Sequence, residues 1–412
     1  MRLRASLCGL ATGLLSASLL ISAVPARAAD ETLEAWRLFV TDQAEGKVTV
    51  IDPASGKVLA VFPTEGYVTH LTPSESGEVL FAVQMDHDRV QAIGSGIRLS
   101  DHGDHGDISV GDAVLLPAEI KGGRPVHTVV HDDEILQFFD LEGAARVYSA
   151  DALIAGNDSF ETVKASAPHH GVVVPMGEVF LVSEPDLAAE KKPDTLPPRL
   201  GLRVIGPDGE AIGEVATCTG LHGEATSAGT VAFGCEEGVL LAEPQAGDAP
   251  RLTLLPYGTD MPKGRVGTLL GAKSMHYFLG NYGDDGVVVI DPTAEAPYQF
   301  VQLPLRRVDF ALDPVRSTTA YVLTEDGRLH ALDILTGKLT RSAPVTGAYS
   351  KDGHWRDPRP RIAVLGNVVA VTDPRAQRVR LLDAGSFEEL RAIPVDGLPF
   401  NIVAVGGSGL HH

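Results

Sequence analysis

The chain is poor in cysteine, aromatic side chains and basic residues. It holds three cysteines, 6% aromatics, and 34 Lys+Arg against 54 Asp+Glu, for a formal net charge of −20. So acidic a polymer is repelled by phosphate backbones and anionic lipid surfaces. That excludes nucleic acid as a partner and favours cations, or a basic patch on another protein. Beyond the first 25 residues no stretch approaches the roughly 18–20 apolar residues that a membrane-spanning helix requires, so no membrane insertion is expected. Long helix-period runs are scarce as well.

The apolar run that does exist sits at the start. "MRLR" is a basic n-region, "ASLCGLATGLLSASLLISAV" an apolar core, and "ARA" (Ala26–Ala28) a small-x-small cleavage site. Residues 1–28 are expected to be a cleavable signal peptide, with the mature chain starting near Ala29 and exported to a bacterial periplasm. Its loss removes Arg2, Arg4, Arg27 and no acid, taking the net charge to −23. Cys8 leaves with it. Cys218 and Cys235 remain, an even pair in an oxidising compartment, and are expected to form a disulfide. A metal site must then be built from histidines and carboxylates.

What the chain has in quantity is 44 glycines and 27 prolines, punctuating short Val/Ile/Phe strands. "RLFVTDQAEGKVTVIDPASGKVLAVF" (37–62) reads as strand, turn, strand, turn, strand. The pattern returns at 276–304, 320–345 and 368–395. A further strand precedes most copies, starting just after residues 70, 127, 170, 222, 266, 310, 360 and 400. Four strands per unit of about 40–50 residues is the signature of a β-propeller. The N-terminus supplies three strands and "FNIVAVGG" (400–407) one, so the two ends complete one blade. The expected fold is all-β: an eight-bladed propeller forming a single domain over 29–410. Seven blades is the alternative, if the long 70–127 interval or a weak central repeat is misread.

In a propeller the residues just before each innermost strand crowd the channel mouth. Four successive units place histidine there: His70, His127, His170 (preceded by His169) and His222. The next four place Val266, Phe310, Pro360 and Phe400. Imidazoles converging on an axis make a tetrahedral site without thiolates, suited to Zn(II), with copper and nickel as competitors. A nearby aspartate such as Asp132 would hold the second ring nitrogen. The competing reading is that such histidines cap backbone groups as struts between blades. Either His169 or His170 is the ligand. His87, in "QMDHDRV", lies in a turn on the mouth side, as a further ligand or a polar turn residue. His131, His276 and His330 read as incidental, and His354 lies in a connection near the axis.

The insertion lengthening the 70–127 interval carries "DHGDHGD" (101–107). Gly103 and Gly106 leave the backbone free, so Asp101, His102, Asp104 and His105 can rearrange around an ion, or form only a solvated acidic loop. The motif fits neither an EF-hand nor H-E-x-x-H. It is expected to be a mobile His/Asp-rich flap over about 95–108, binding more weakly than a preorganised channel site. If "RVQAIGSGI" is the third strand of its blade, the flap leaves on the face opposite the mouth.

Signal peptide, YVTN-like repeats ("LFVTD…VTVID", "VAVTD…VRLLD"), histidine-bearing strand starts and the "DHGDHGD" flap together resemble the AztD family, the periplasmic zinc metallochaperones of ABC-type zinc importers. The resemblance covers essentially the whole mature chain. It implies a non-enzymatic protein, expected to be monomeric, that holds Zn(II) and hands it to the importer's solute-binding protein. Metal-binding roles would fall on the flap residues Asp101, His102, Asp104 and His105 and on the channel-mouth histidines. Two other readings compete. One is a lactonase-like hydrolase using a metal-bound water, for which Glu224 is the sole candidate base. The other is a non-catalytic interaction propeller.

Overall fold

The computed structural model describes residues 34–101, 106–132 and 134–408. Residues 1–28, expected from the sequence to be a signal peptide, and His102, Asp104 and His105 of the expected flap lie outside the described residues, as does the side chain of Asp101. Eight four-stranded antiparallel sheets form an eight-bladed propeller. The innermost strands, in blade order, are Pro399–Ser408, His70–Pro73, Pro125–His131, Val173–Met176, His222–Ser227, Leu269–Leu270, Arg307–Leu312 and Ile362–Leu365. The last three blades open at Leu269, Arg307 and Ile362, up to three residues from the starts the hydrophobic runs suggest. At the seventh blade the shift matters, because it brings Arg307 to the mouth.

The ring closes as the split first unit implies. Strand Pro399–Ser408 pairs antiparallel with Glu34–Asp42, with Leu38 opposite Ala404 and Val40 opposite Ile402. Burying Phe400, Ile402 and Val405 on this strand contributes roughly 1.5–3 kcal/mol per side chain. The core lies between blades. Phe138, Leu181, Val182, Leu202, Phe233 and Leu240 form one continuous cluster across blades three to five. Leu38, Val40, Ile51, Ala370 and Leu381 seal blade eight against blade one. The alternation of buried Val, Leu and Phe with partly exposed residues selects strand over helix in these segments.

Antiparallel order fixes the faces. The starts of innermost strands, the ends of second strands and the connections between blades share one face, here the mouth face. Strand Arg89–Gly94 is the third of its blade, paired on one side with Val79–Gln84 and on the other with Val114–Lys121. A hairpin, Ile97–Asp101 with Gly106–Val110, is inserted between that third strand and the fourth. The strands leading to the flap therefore leave from the far face, roughly 15–20 Å from the histidine-bearing starts at about 3.3 Å per strand residue. Arg37 clamps the hairpin's root, donating to the carbonyls of Ser95 and Gly111.

Among the described residues no helix is long and apolar enough to cross a membrane.

Candidate metal centre

Four blades deliver imidazoles to one cavity of about 550 Å³, whose wall also includes Arg124 and Trp355. His70 and His222 are the first residues of their innermost strands, His127 is the third of its strand, and His170 stands three residues ahead of Val173–Met176. One ligand atom from each of His127, His170 and His222 lies within 4.8 Å of the others. The Nε2 atoms of His127 and His170 are 3.1 Å apart. Two nitrogens on one tetrahedral zinc, each at about 2.0–2.1 Å, stand roughly 3.3 Å apart. Those two rings are already at ligand spacing, and His222 needs a small inward shift. His70 flanks the trio, its ring stacked on His127 with centroids 6.4 Å apart.

The outward nitrogens are held, which fixes the inward ones. His170 Nδ1 donates to Asp140 Oδ2 at 2.8 Å, and Asp140 is fully buried. His222 Nδ1 donates to the Gly267 carbonyl at 2.7 Å. With Nδ1 carrying the proton, each Nε2 presents a lone pair to the cavity, the tautomer that metal binding requires. Gly223 permits the His222 contact: its φ is +73°, and a Cβ there would press within 2.9 Å of that same carbonyl. The register slips between His222 and Glu224 at this point.

Electrostatics keep the rings of His70, His127 and His222 neutral. His222 is lowered to about 4, first by desolvation and then by Arg199. His70, open to the channel but ringed by protein, is lowered to about 4 by desolvation, His170, Arg361 and His222. Burial holds His127 well below the ordinary imidazole range, and its three neighbouring imidazoles add to the effect. Neutral imidazole is the ligand form, so no proton must leave these rings when a cation arrives. Glu224, on the channel wall, is pushed up to about 7 by desolvation.

The Cys218–Cys235 disulfide is present, its two residues 17 apart in sequence. It ties the end of blade four's outer strand to the end of Thr230–Gly234, and so clamps the turn that carries His222. Cross-linking a loop of this size is worth about 3 kcal/mol.

Of the paired histidines, His170 faces the cavity and His169 does not. His169 is fully buried, with Nδ1 at 2.9 Å from the Ala167 carbonyl and Nε2 at 2.8 Å from Ser183 Oγ. Both nitrogens are spent on holding the chain, which is the strut role. His87 is exposed, stands over Gly66 and does not line the cavity. His131 and His276 lie away from the trio, and His330 is buried against Thr324. His354 is exposed, in the connection that brings Trp355 to the cavity.

Asp132 does not serve as the supporting carboxylate. It is exposed and pairs with Lys273 at 2.8 Å. Asp140 takes that role. Its signal was in the sequence: second strands end in a polar residue ("FVTD", "FAVQ", "QFFD", "LVSE", "VLTE", "AVTD"). At most of these positions the side chain grips the backbone of a blade connection, as Gln84, Glu184 and Glu325 do. In blade three it grips an imidazole.

No family model matches the chain. A curated relative, the zinc chaperone AztD of Citrobacter koseri, is 45% identical over 404 residues, covering 98% of this chain and 94% of that protein. The crystal structure of Citrobacter koseri AztD superposes with a TM-score of 0.87 at 45% identity, covering 92% of this chain and all of the other. The structure of apo AztD from the same organism gives 0.85 at 43% identity, with 92% and 100% coverage. The dihydro-heme d1 dehydrogenase NirN, at 15% identity and a TM-score of 0.60 over 89% of this chain and 74% of its own, shares the fold alone.

Proposed function

The chain belongs to the family of the zinc chaperone AztD, and from that premise we propose that it is a zinc carrier whose tight site is the trio His127, His170 and His222. The observation that carries this reading is the pair of held outward nitrogens, His170 on Asp140 and His222 on Gly267, which aim two Nε2 lone pairs at one cavity. Zn(II) is the cargo. Three imidazoles leave one tetrahedral position for His70, water or a donor from the acceptor. An open position is what transfer needs, because an incoming ligand can add before an outgoing one leaves.

The acceptor in this reading is the periplasmic solute-binding protein of an ABC-type zinc importer, reached after export through a signal peptide over residues 1–28. The carrier works as a monomer. The flap, Asp101, His102, Asp104 and His105, is a second and weaker station, and the described hairpin strands on either side of it leave the propeller from the far face. It gathers metal that the trio then holds. The carrier reading is preferred to a hydrolytic one because the family is one of chaperones.

Zinc titration against a competing chromophoric chelator tests this. Mature protein with His127→Ala and His222→Ala is expected to lose its tight site and to retain only weaker binding. Unchanged tight binding overturns the assignment.

A further inference from the structure

The mouth has two unlike halves. Blades two to five present histidines at or near their innermost strand starts; blades seven and eight present arginines, Arg307 as the first residue of its strand and Arg361 immediately before Ile362–Leu365. Lys351, from the connection into blade eight, joins them: its ammonium feels Arg361, Arg359 and Arg307 and is lowered to about 8, chiefly by desolvation. The same connection brings Trp355 to the histidine cavity, and Arg361 is felt by His70. The basic group and the imidazoles therefore share one mouth.

Most of the surrounding acids are already engaged. Asp309 lies 3.4 Å from Arg361 and accepts the Ile362 N–H. Glu325 and Asp352 pair with Arg306 at 2.7 and 2.8 Å, and Asp357 lies 3.6 Å from Arg359. Arg307 is steadied by the Gly286 carbonyl at 2.6 Å, and Arg361 lies over the Phe400 ring. Among the described residues the Lys351 side chain makes no ion pair or hydrogen bond. Three half-buried cations thus face two carboxylates, Asp309 and the exposed Asp284 beside Arg307, on a chain whose net charge is −20. Uncompensated cations out of bulk water are costly unless an anion joins them.

We propose that Arg307, Lys351 and Arg361 form a carboxylate-binding subsite at the channel mouth, across from the histidines. Arg307 and Arg361 supply fixed guanidinium donors, and Lys351 supplies the mobile charge that closes on the ligand. The carboxylate belongs either to a small organic acid or to an acidic side chain of a docking protein. Occupancy does not depend on metal at the trio.

Calorimetric titration of the metal-free mature protein with succinate at low ionic strength tests this. Saturable binding is expected, weakened about tenfold or more in Lys351→Met by loss of one charge-assisted hydrogen bond. Lys351→Arg is expected to restore it, and His127→Ala/His222→Ala to leave it unchanged. A second arm uses a short blocked glutamate peptide. Tighter binding per carboxylate than succinate assigns the site to a docking protein, and weaker binding assigns it to a small acid. If wild type binds neither, or if Lys351→Met binds both as well as wild type, the proposal is wrong.

Discussion

His127 and His170 meet across a blade boundary with their Nε2 atoms 3.1 Å apart, although 43 residues separate them in the chain. Neither atom is delivered by local sequence. The propeller closure sets their separation, and Asp140 behind His170 sets which nitrogen faces inward.

The first prediction concerns that support. Asp140→Asn keeps the shape but removes the carboxylate that favours the Nδ1–H tautomer. Zinc affinity is expected to fall roughly 10–100-fold, the usual cost of losing such a partner. Chelator competition measures it, with the unfolding temperature as a control for folding.

The second separates the adjacent histidines. His169→Ala leaves Ser183 and the Ala167 carbonyl without their imidazole partner, so it is expected to lower stability by about 1–3 kcal/mol with affinity little changed. His170→Ala is expected to do the reverse. Denaturant melts and zinc titrations on both variants decide it.

The third is a pH dependence. His70 and His222 have folded values near 4, below about 6.5 for an unfolded imidazole. Below 6.5 the unfolded chain takes up protons that the folded chain refuses, so the stability these rings contribute is present above 6.5 and is lost as pH falls toward 4. Melts of the metal-free protein from pH 8 to 4 are expected to be flat with respect to these rings above 6.5 and to decline below it. His222→Gln is expected to reduce that decline.

The fourth tests the clamp behind His222. Cys218→Ser/Cys235→Ser removes a 17-residue cross-link, at an expected cost of about 2–4 kcal/mol. Zinc affinity is expected to drop as well, because the turn that aims His222 is freed. Parallel melts and titrations of reduced and oxidised wild type check both effects.

The architecture was legible because strand alternation, turn glycines and a split first unit are local signals repeated eight times. The histidine ring was legible because one residue type recurred at one place in the repeat. Asp140 was harder to see, since the acid that ends a second strand usually caps backbone and only in blade three meets an imidazole. Gly267 gave no signal at all, because it acts through its carbonyl. The basic half of the mouth was hidden by aligning blade seven on Phe310, three residues beyond Arg307. The choice between His169 and His170 turns on which ring points across the blade boundary, and adjacent residues carry no sequence mark of that.

The most direct measurement is zinc affinity of the mature wild-type protein, of His127→Ala/His222→Ala and of His102→Ala/His105→Ala, by competition with one chelator. The expected result is loss of the tight site in the channel variant and its retention in the flap variant. Loss of all zinc binding in the flap variant, with the channel variant unaffected, would contradict a channel-mouth site.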